Sequence, residues 1–197
     1  IENKRVLVDS LSNGRLGYVH VRGMNDSSFR KTFAELFGRQ VDKEALIMDT
    51  RWNGGGWLHD DLAKLLSGTD YSWAVPRGKQ VGKEPQNRWT KPVVLVMGEA
   101  NYSDAHFFPY AYTALNIGKT VGMPIPGTAT AVWWENLLDP SLVFGMPMVG
   151  VKNTDGEFLE NNQLEPDYRV KNDPESIAKG RDKQIEKAVE VLLEQLD

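Results

Sequence analysis

The sequence predicts an α/β fold in which buried strands alternate with helices, on the strength of two strand–turn–helix units and an amphipathic C-terminal helix. The first unit opens with Pro92-Val93-Val94-Leu95-Val96-Met97, dense in β-branched residues and short enough to be a buried strand. Gly98-Glu99-Ala100-Asn101 breaks the run, and Ser103-Asp104 opens a helical stretch reaching about Asn116. The second unit runs from Ala45-Leu46-Ile47-Met48-Asp49 through a turn containing Gly54-Gly55-Gly56 into a helix from about Leu58 to Leu66. At the end of the chain Ile185, Ala188, Val189, Leu192 and Leu193 form an apolar helical stripe, which serves packing and equally suits a subunit contact.

Taken in order, Arg5 to Arg22 reads as two strands around Ser12-Asn13-Gly14, with Tyr18, His20 and Arg22 on one face and Val19 and Val21 on the other. His20 points away from the valines, which favours a structural or solvent-facing role. Asp26-Ser27-Ser28 caps a helix whose Phe29, Phe33, Leu36 and Phe37 recur at helical spacing as a core stripe. His59-Asp60-Asp61 is read as a solvated first turn and not as a metal site, because no further ligand recurs at a suitable spacing. Gly68 to Trp89 is polar and irregular; its Tyr71, Trp73 and Trp89 either wall a substrate cleft or pack back onto the core. Lys119 to Met123 predicts a short strand, and Gly127 to Trp134 a loop and strand. Ser141 to Val151 reads as a hairpin, Asp155-Gly156 as a turn and Pro166 to Val170 as an edge segment. The last helix starts after Asp173-Pro174 and is interrupted near Gly180.

The 197 residues, 41% hydrophobic and 25% charged, are enough for one domain with a full core. A net charge of -4 and the lack of a basic patch interleaved with aromatics argue against nucleic acid or an anionic membrane as partner. With no cysteine, disulfides, thiolate metal sites and cysteine nucleophiles are excluded, and the compartment stays open between cytoplasm and periplasm. No cofactor or metal is expected. The first residue is Ile1 and not methionine, so the start is expected to be a processing or cloning boundary within a larger protein.

Ser103 stands where a strand turns into a helix, and the first turn of a helix offers unpaired N–H groups and the positive end of the helix dipole. A developing oxyanion is stabilised at such a place. The alternative is a plain N-cap, with the hydroxyl bonded to the backbone two or three residues on. Three successive glycines in the other turn allow close approach of the backbone and outward-facing N–H groups. That turn is not a phosphate loop, since it has neither a Gly-Lys-Ser/Thr nor a Gly-x-Gly-x-x-Gly pattern. Two such turns suggest a nucleophile from one and oxyanion donors from both.

Asp49-Thr50-Arg51-Trp52-Asn53-Gly54-Gly55-Gly56 resembles the Asp-x-Arg-x-Asn-x-Gly-Gly signature of the tail-specific, or C-terminal processing, serine peptidase family. Asn101-Tyr102-Ser103-Asp104-Ala105 resembles its nucleophile segment, in detail that of the tricorn branch, with aspartate and then a small residue after the serine. The likeness extends from Gly14, through Gly17-Tyr18-Val19-His20-Val21, to Asp182-Lys183-Gln184-Ile185-Glu186-Lys187-Ala188. It implies a crotonase/ClpP-like fold of ββα repeats, a twisted, mostly parallel sheet flanked by helices. It further implies that Ser103 attacks the scissile carbonyl while the N–H groups of Gly56 and Asp104, with Gly55 beside them, hold the oxyanion.

In the processing branch the base is a lysine, and Gly127-Thr128-Ala129 stands in its region. In the tricorn branch the base is a histidine N-terminal to this region, oriented by a glutamate at the place of Glu160. Glu160 is that residue or an exposed turn carboxylate. No histidine precedes Arg15, so the base is expected from upstream sequence, with His106 the competing candidate because it shares a helical face with Ser103. Tyr71-Ser72-Trp73-Ala74 stands where tricorn-like enzymes place an acidic residue for basic substrates.

The expected function is therefore a serine endopeptidase core acting on peptides or unfolded protein, weak or inactive as an isolated piece and able to form homo-oligomers. Upstream domains of the same polypeptide, such as a propeller or PDZ-type module, would accompany it. Two rivals are kept: a lipid- or peptide-binding module of the same fold, with Trp73, Trp89, Trp133 and Trp134 lining an apolar pocket, and an acyl-CoA enzyme. The latter leaves a serine at the helix start unexplained.

Overall fold

Helix α1 (Glu2–Leu11) leads into β1 (Leu16–His20), α2 (Asp26–Ala34), β2 (Ala45–Asp49) and α3 (His59–Leu66). A short antiparallel pair, β3 (Ser72–Ala74) and β4 (Gly82–Glu84), precedes β5 (Val93–Met97), α4 (Asp104–Ala114) and β6 (Lys119–Gly122). A two-stranded ribbon, β7 (Thr130–Asn136) and β8 (Val143–Gly150), is followed by β9 (Tyr168–Arg169), α5 (Pro174–Ala178) and α6 (Lys183–Leu196). This computed structural model describes residues Ile1–Asp197.

The central sheet has the order β1-β2-β5-β6-β9, and every neighbouring pair in it is parallel. Every residue of β2 and β5 is buried, as a parallel sheet covered on both faces requires. Alternation divides each strand between two cores. Leu46, Met48, Val93 and Leu95 pack with Leu62 and Leu65 of α3 and Phe108 and Tyr112 of α4. Ile47, Val94, Val96 and Val121 pack with Ile185, Ala188 and Leu192 of α6 and Val8 of α1. The α/β architecture with a parallel sheet between helices is thus as expected.

Three local readings are corrected. Arg5 to Leu11 is helical and not the first strand of a hairpin. Val8 is buried and Leu7 packs beside it against the α6 core, whereas in a strand these neighbours would point to opposite faces. Ser12-Asn13-Gly14 ends that helix: Asn13 and Gly14 have positive φ, the Ser12 hydroxyl donates to Val8 O, and Leu16 N donates to Ser12 Oγ. Secondly, the stretch Ser141 to Val151 holds a single strand, β8, and the hairpin it belongs to is the β7–β8 ribbon. Thirdly, α2 is capped by Asn25, whose side chain accepts from Ser28 N, one residue before the expected cap.

Candidate active site

The carboxyl ends of β2 and β5 lie side by side, Asp49 paired with Val96, so the turns leaving them meet. Asp49, only 2% exposed, starts the first turn and is held from three directions. Arg51 donates to it from Nε (2.9 Å), Nη2 (2.6 Å) and its own backbone N (3.0 Å), and the Tyr18 hydroxyl donates at 2.8 Å. Arg51 reaches on to Asp182 and Gln184 at the start of α6. The Asp182 carboxylate, flanked by Arg51 and Lys4, is held well below the usual carboxylate range despite burial. Burial and the adjacent Asp49 charge push the Tyr18 hydroxyl far above its ordinary value. Asn53 then shapes the glycines: its Nδ2 donates to Val21 O and its Oδ1 accepts from Gly55 N, both at 2.9 Å. The Asp-Thr-Arg-Trp-Asn portion of the motif is therefore scaffold for the glycine turn.

The second turn is built the same way around Asn101. Its Nδ2 donates to Thr50 Oγ1 and Ala105 O, each at 3.0 Å, and its Oδ1 accepts from Gly98 N. Ser103 follows with φ 54° and ψ −122° and makes no side-chain capping bond. The plain N-cap alternative does not hold. Non-glycine residues held in such sparsely populated backbone regions cluster at functional sites, and here the strained turn presents the hydroxyl free. Ser103 N donates to Thr128 Oγ1 at 3.2 Å.

The two turns touch. A methyl group at Gly55, where φ is +92°, would lie 2.8 Å from Ser103 Cβ and 3.1 Å from the Asp104 nitrogen. One at Gly56, with φ +144°, would lie 1.9 Å from Met24 O, because Gly56 pairs with Met24 in an isolated parallel bridge. Neither Gly56 N–H nor Asp104 N–H donates to another group of the chain. A cavity of about 700 Å³ opens in front of them, lined by Gly54, Gly55, Gly56, Ser103, Asp104, Thr128 and Glu160. Trp57, Tyr102 and Phe107 complete the wall beside the turns, and Thr130, Ala131, Val132, Trp134 and Pro147 of the ribbon supply the rest.

Glu160 faces this cavity, its Oε2 accepting from Ala129 N (2.6 Å) and Thr130 Oγ1 (2.8 Å). It is no free turn carboxylate. His106 is 1% exposed; its backbone N donates to Ser103 O at 2.7 Å, but its ring makes no hydrogen bond to the serine and it is not part of the cavity wall. Burial pushes its pKa down, against an opposing influence of the Glu160 charge. Tyr71 and Trp73 lie exposed in and beside the β3–β4 pair, away from the cavity, while Trp89 is packed in the core. Of the tryptophans considered for an apolar pocket, only Trp134 borders the cavity at Ser103.

Two site residues escaped the sequence reading. Thr128 was visible as the residue in the place of the processing branch's lysine. His59, expected to sit in a solvated first turn of α3, has its Nδ1 2.5 Å from Asp104 Oδ1. No local pattern links positions 45 apart in the chain.

A model described as peptidase family S41 matches residues 15–170. Tricorn protease homolog 1 of Streptomyces coelicolor is 30% identical over 100% of this chain and 18% of its own length. The putative Tricorn-like protease C-terminal subunit of Sulfurisphaera tokodaii is 31% identical over 100% of this chain and 23% of its own. The Tricorn protease of Thermoplasma acidophilum is 26% identical, again with 100% and 18% covered. The crystal structure of the tricorn protease superposes with a TM-score of 0.90 at 26% identity, over 100% of this chain and 19% of that one. The photosystem II D1 C-terminal processing protease shares the fold, with a TM-score of 0.58 at 19% identity over 88% of this chain and 46% of that chain. The chain thus spans less than a quarter of the length of these curated relatives.

Proposed function

Because the chain belongs to peptidase family S41, we propose that it is the core of a serine endopeptidase with Ser103 as nucleophile and the N–H groups of Gly56 and Asp104 as oxyanion donors. One observation supports this reading: Gly56 and Asp104, from different turns and with N–H groups unused within the chain, line one cavity with a strained serine whose hydroxyl caps nothing. Ser103 Oγ attacks the scissile carbonyl carbon and gives its proton to a base. The carbonyl oxygen takes the negative charge and is received by the two N–H groups. Collapse returns the proton to the departing amine, and water then cleaves the acyl-serine. Losing one such donor costs on the order of 3 kcal/mol of transition-state stabilisation.

The base in this reading is a histidine supplied by sequence outside the 197 residues, with Glu160 orienting it across the cavity. Its support is the placement of the chain's own three histidines, none of which lines the cavity. The aromatic and aliphatic groups of the wall give a peptide an apolar surface to lie against, and peptide or unfolded protein is the substrate class proposed. Fluorophosphonate labelling of the full-length polypeptide tests the nucleophile. Labelling should map to Ser103 and vanish in Ser103→Ala; labelling that survives the substitution would end the proposal.

A further inference from the structure

Asp104 has two jobs in one residue. It lines the cavity with an N–H unused within the chain, and the residue is 2% exposed, its carboxylate turned toward the head of α3. There Oδ2 accepts from Leu58 N (2.5 Å) and His59 N (3.1 Å), and Oδ1 accepts from His59 Nδ1 alone (2.5 Å). Leu58 and His59 directly follow Gly56 and Trp57 in the chain, so this carboxylate bolts the end of the glycine turn to the first residue of α4.

The imidazole is itself held. Its ring lies 6.2 Å from Trp57, edge-on, and 5.5 Å from Phe107, two residues that line the cavity. His59 is not part of that lining. The charged groups acting on it are Asp104 on α4 and Asp60 and Asp61 on its own helix, all anionic. The hydrogen bond to Asp104 raises its pKa against the effect of burial, which favours the donating, protonated ring.

We propose that His59 is a positioning residue: by donating from Nδ1 to Asp104 Oδ1 it fixes the carboxylate, and through it the spacing between the Gly56 and Asp104 N–H groups. The inference rests on the peptidase reading for its consequence in catalysis, though not for the clamp itself. Two backbone bonds to Oδ2 leave the carboxyl group free to swing about them. The bond to Oδ1 removes that freedom and satisfies an oxygen that would otherwise be buried without a donor. Donor spacing matters because an oxyanion must meet both N–H groups at hydrogen-bond distance, and a misplacement of about 1 Å can cost on the order of 100-fold in rate.

The test compares three variants of the full-length polypeptide. His59→Asn keeps a donor near Nδ1 without the ring or the charge, His59→Phe keeps the ring without the donor, and His59→Ala removes both. Fluorophosphonate labelling of Ser103 should slow about 10-fold or more in the Phe and Ala variants, with Asn within about 3-fold of wild type. On a peptide substrate the loss should fall on kcat, with KM within about twofold. Wild-type rates in Phe and Ala, an Asn variant as slow as Ala, or a loss carried by KM alone would each overturn the proposal. Should Ala fail to fold, the Phe and Asn pair decides.

If the wild-type serine does not label at all, the peptidase reading fails, and the clamp is then judged by amide NMR of the 197-residue chain. His59→Phe should shift the Gly56 and Asp104 resonances while His59→Asn leaves them near wild type. Unmoved resonances in His59→Phe would overturn the clamp itself.

Discussion

Gly55 and Ser103 pack against each other where the two turns meet, and each has a positive φ. Alanine at Gly55 would adopt φ +92° with its methyl 2.6 Å from Tyr102 O and 2.8 Å from Ser103 Cβ. Both atoms belong to the turn that carries Ser103, so relief of the clash displaces the serine. Gly55→Ala should therefore cost well over 1 kcal/mol in urea unfolding and slow Ser103 labelling in parallel. Ser103 itself, at φ 54° and ψ −122°, is strained on the order of 1 to 3 kcal/mol. Ser103→Gly should then be more stable than Ser103→Ala by about 1 kcal/mol, although glycine ordinarily loses more entropy on folding. Both variants lack the hydroxyl, so their difference isolates the backbone, and equal unfolding midpoints would show the turn to be relaxed. At this scale the sequence was legible where the signal is local. A serine before a helix and three glycines after a strand announce themselves. The Thr128 and Asp104–His59 contacts join segments 25 and 45 positions apart, and no periodicity encodes them.

Between elements, the Arg51 guanidinium is the main polar link, joining the β2 turn to the N-terminus of α6. It is part-buried against Asp49 and Asp182, and Asp182 also caps α6 by accepting from Ile185 N. Arg51→Met would take the guanidinium from two carboxylates that are each 2% exposed, leaving Asp49 with Tyr18 and Asp182 with Lys4; the loss should be about 3 kcal/mol, the low end for breaking a buried pair from one side. Acid should reach the same link. The folded pKa of Asp182 is depressed below the ordinary aspartate value of 3.8, so its contribution is fully present above that value. It is lost as pH falls from about 4 through the folded value, where the native state must take up the proton. Urea midpoints of wild type should drop over that acid range more steeply than those of Asp182→Asn, and parallel profiles would refute the linkage. Element boundaries were legible wherever an apolar run ended in a glycine or a cap, as at β2, β5 and α6. Helix α1 was misread because Ser12-Asn13-Gly14 carries the same residues whether it closes a hairpin or ends a helix. Only the seat of Val8 in the α6 core separates the two, and that is a tertiary fact.

Over the whole molecule, the sheet separates two layers, and the site belongs to one of them. Helices α3 and α4 carry the turns with Gly56 and Ser103, the β7–β8 ribbon closes the cavity from outside, and α1 and α6 cover the opposite face. The order of elements along the chain was legible, since each unit carries its own strand, turn and helix signals. The placement of β9 beside β6, which makes the sheet five strands wide, rests on two residue pairs and had no such signal. The distribution of histidines follows from the layers. His20 lies at the end of β1, where its Nε2 is 3.3 Å from Arg51 O, in a separate cavity of about 660 Å³ beside α5 and α6. His59 is turned to Asp104 and His106 is buried on α4, and no imidazole of this chain bonds Ser103 or lines its cavity. A positioned base contributes about 10²- to 10⁴-fold to a proton-transfer step. Fluorophosphonate should accordingly label Ser103 in the 197-residue chain more slowly than in the full-length polypeptide by a factor in that range. The deficit should shrink as pH rises and the serine needs less help to lose its proton. Equal rates in the two proteins would place the base within this chain, and His106→Gln would then be the variant that identifies or dismisses it.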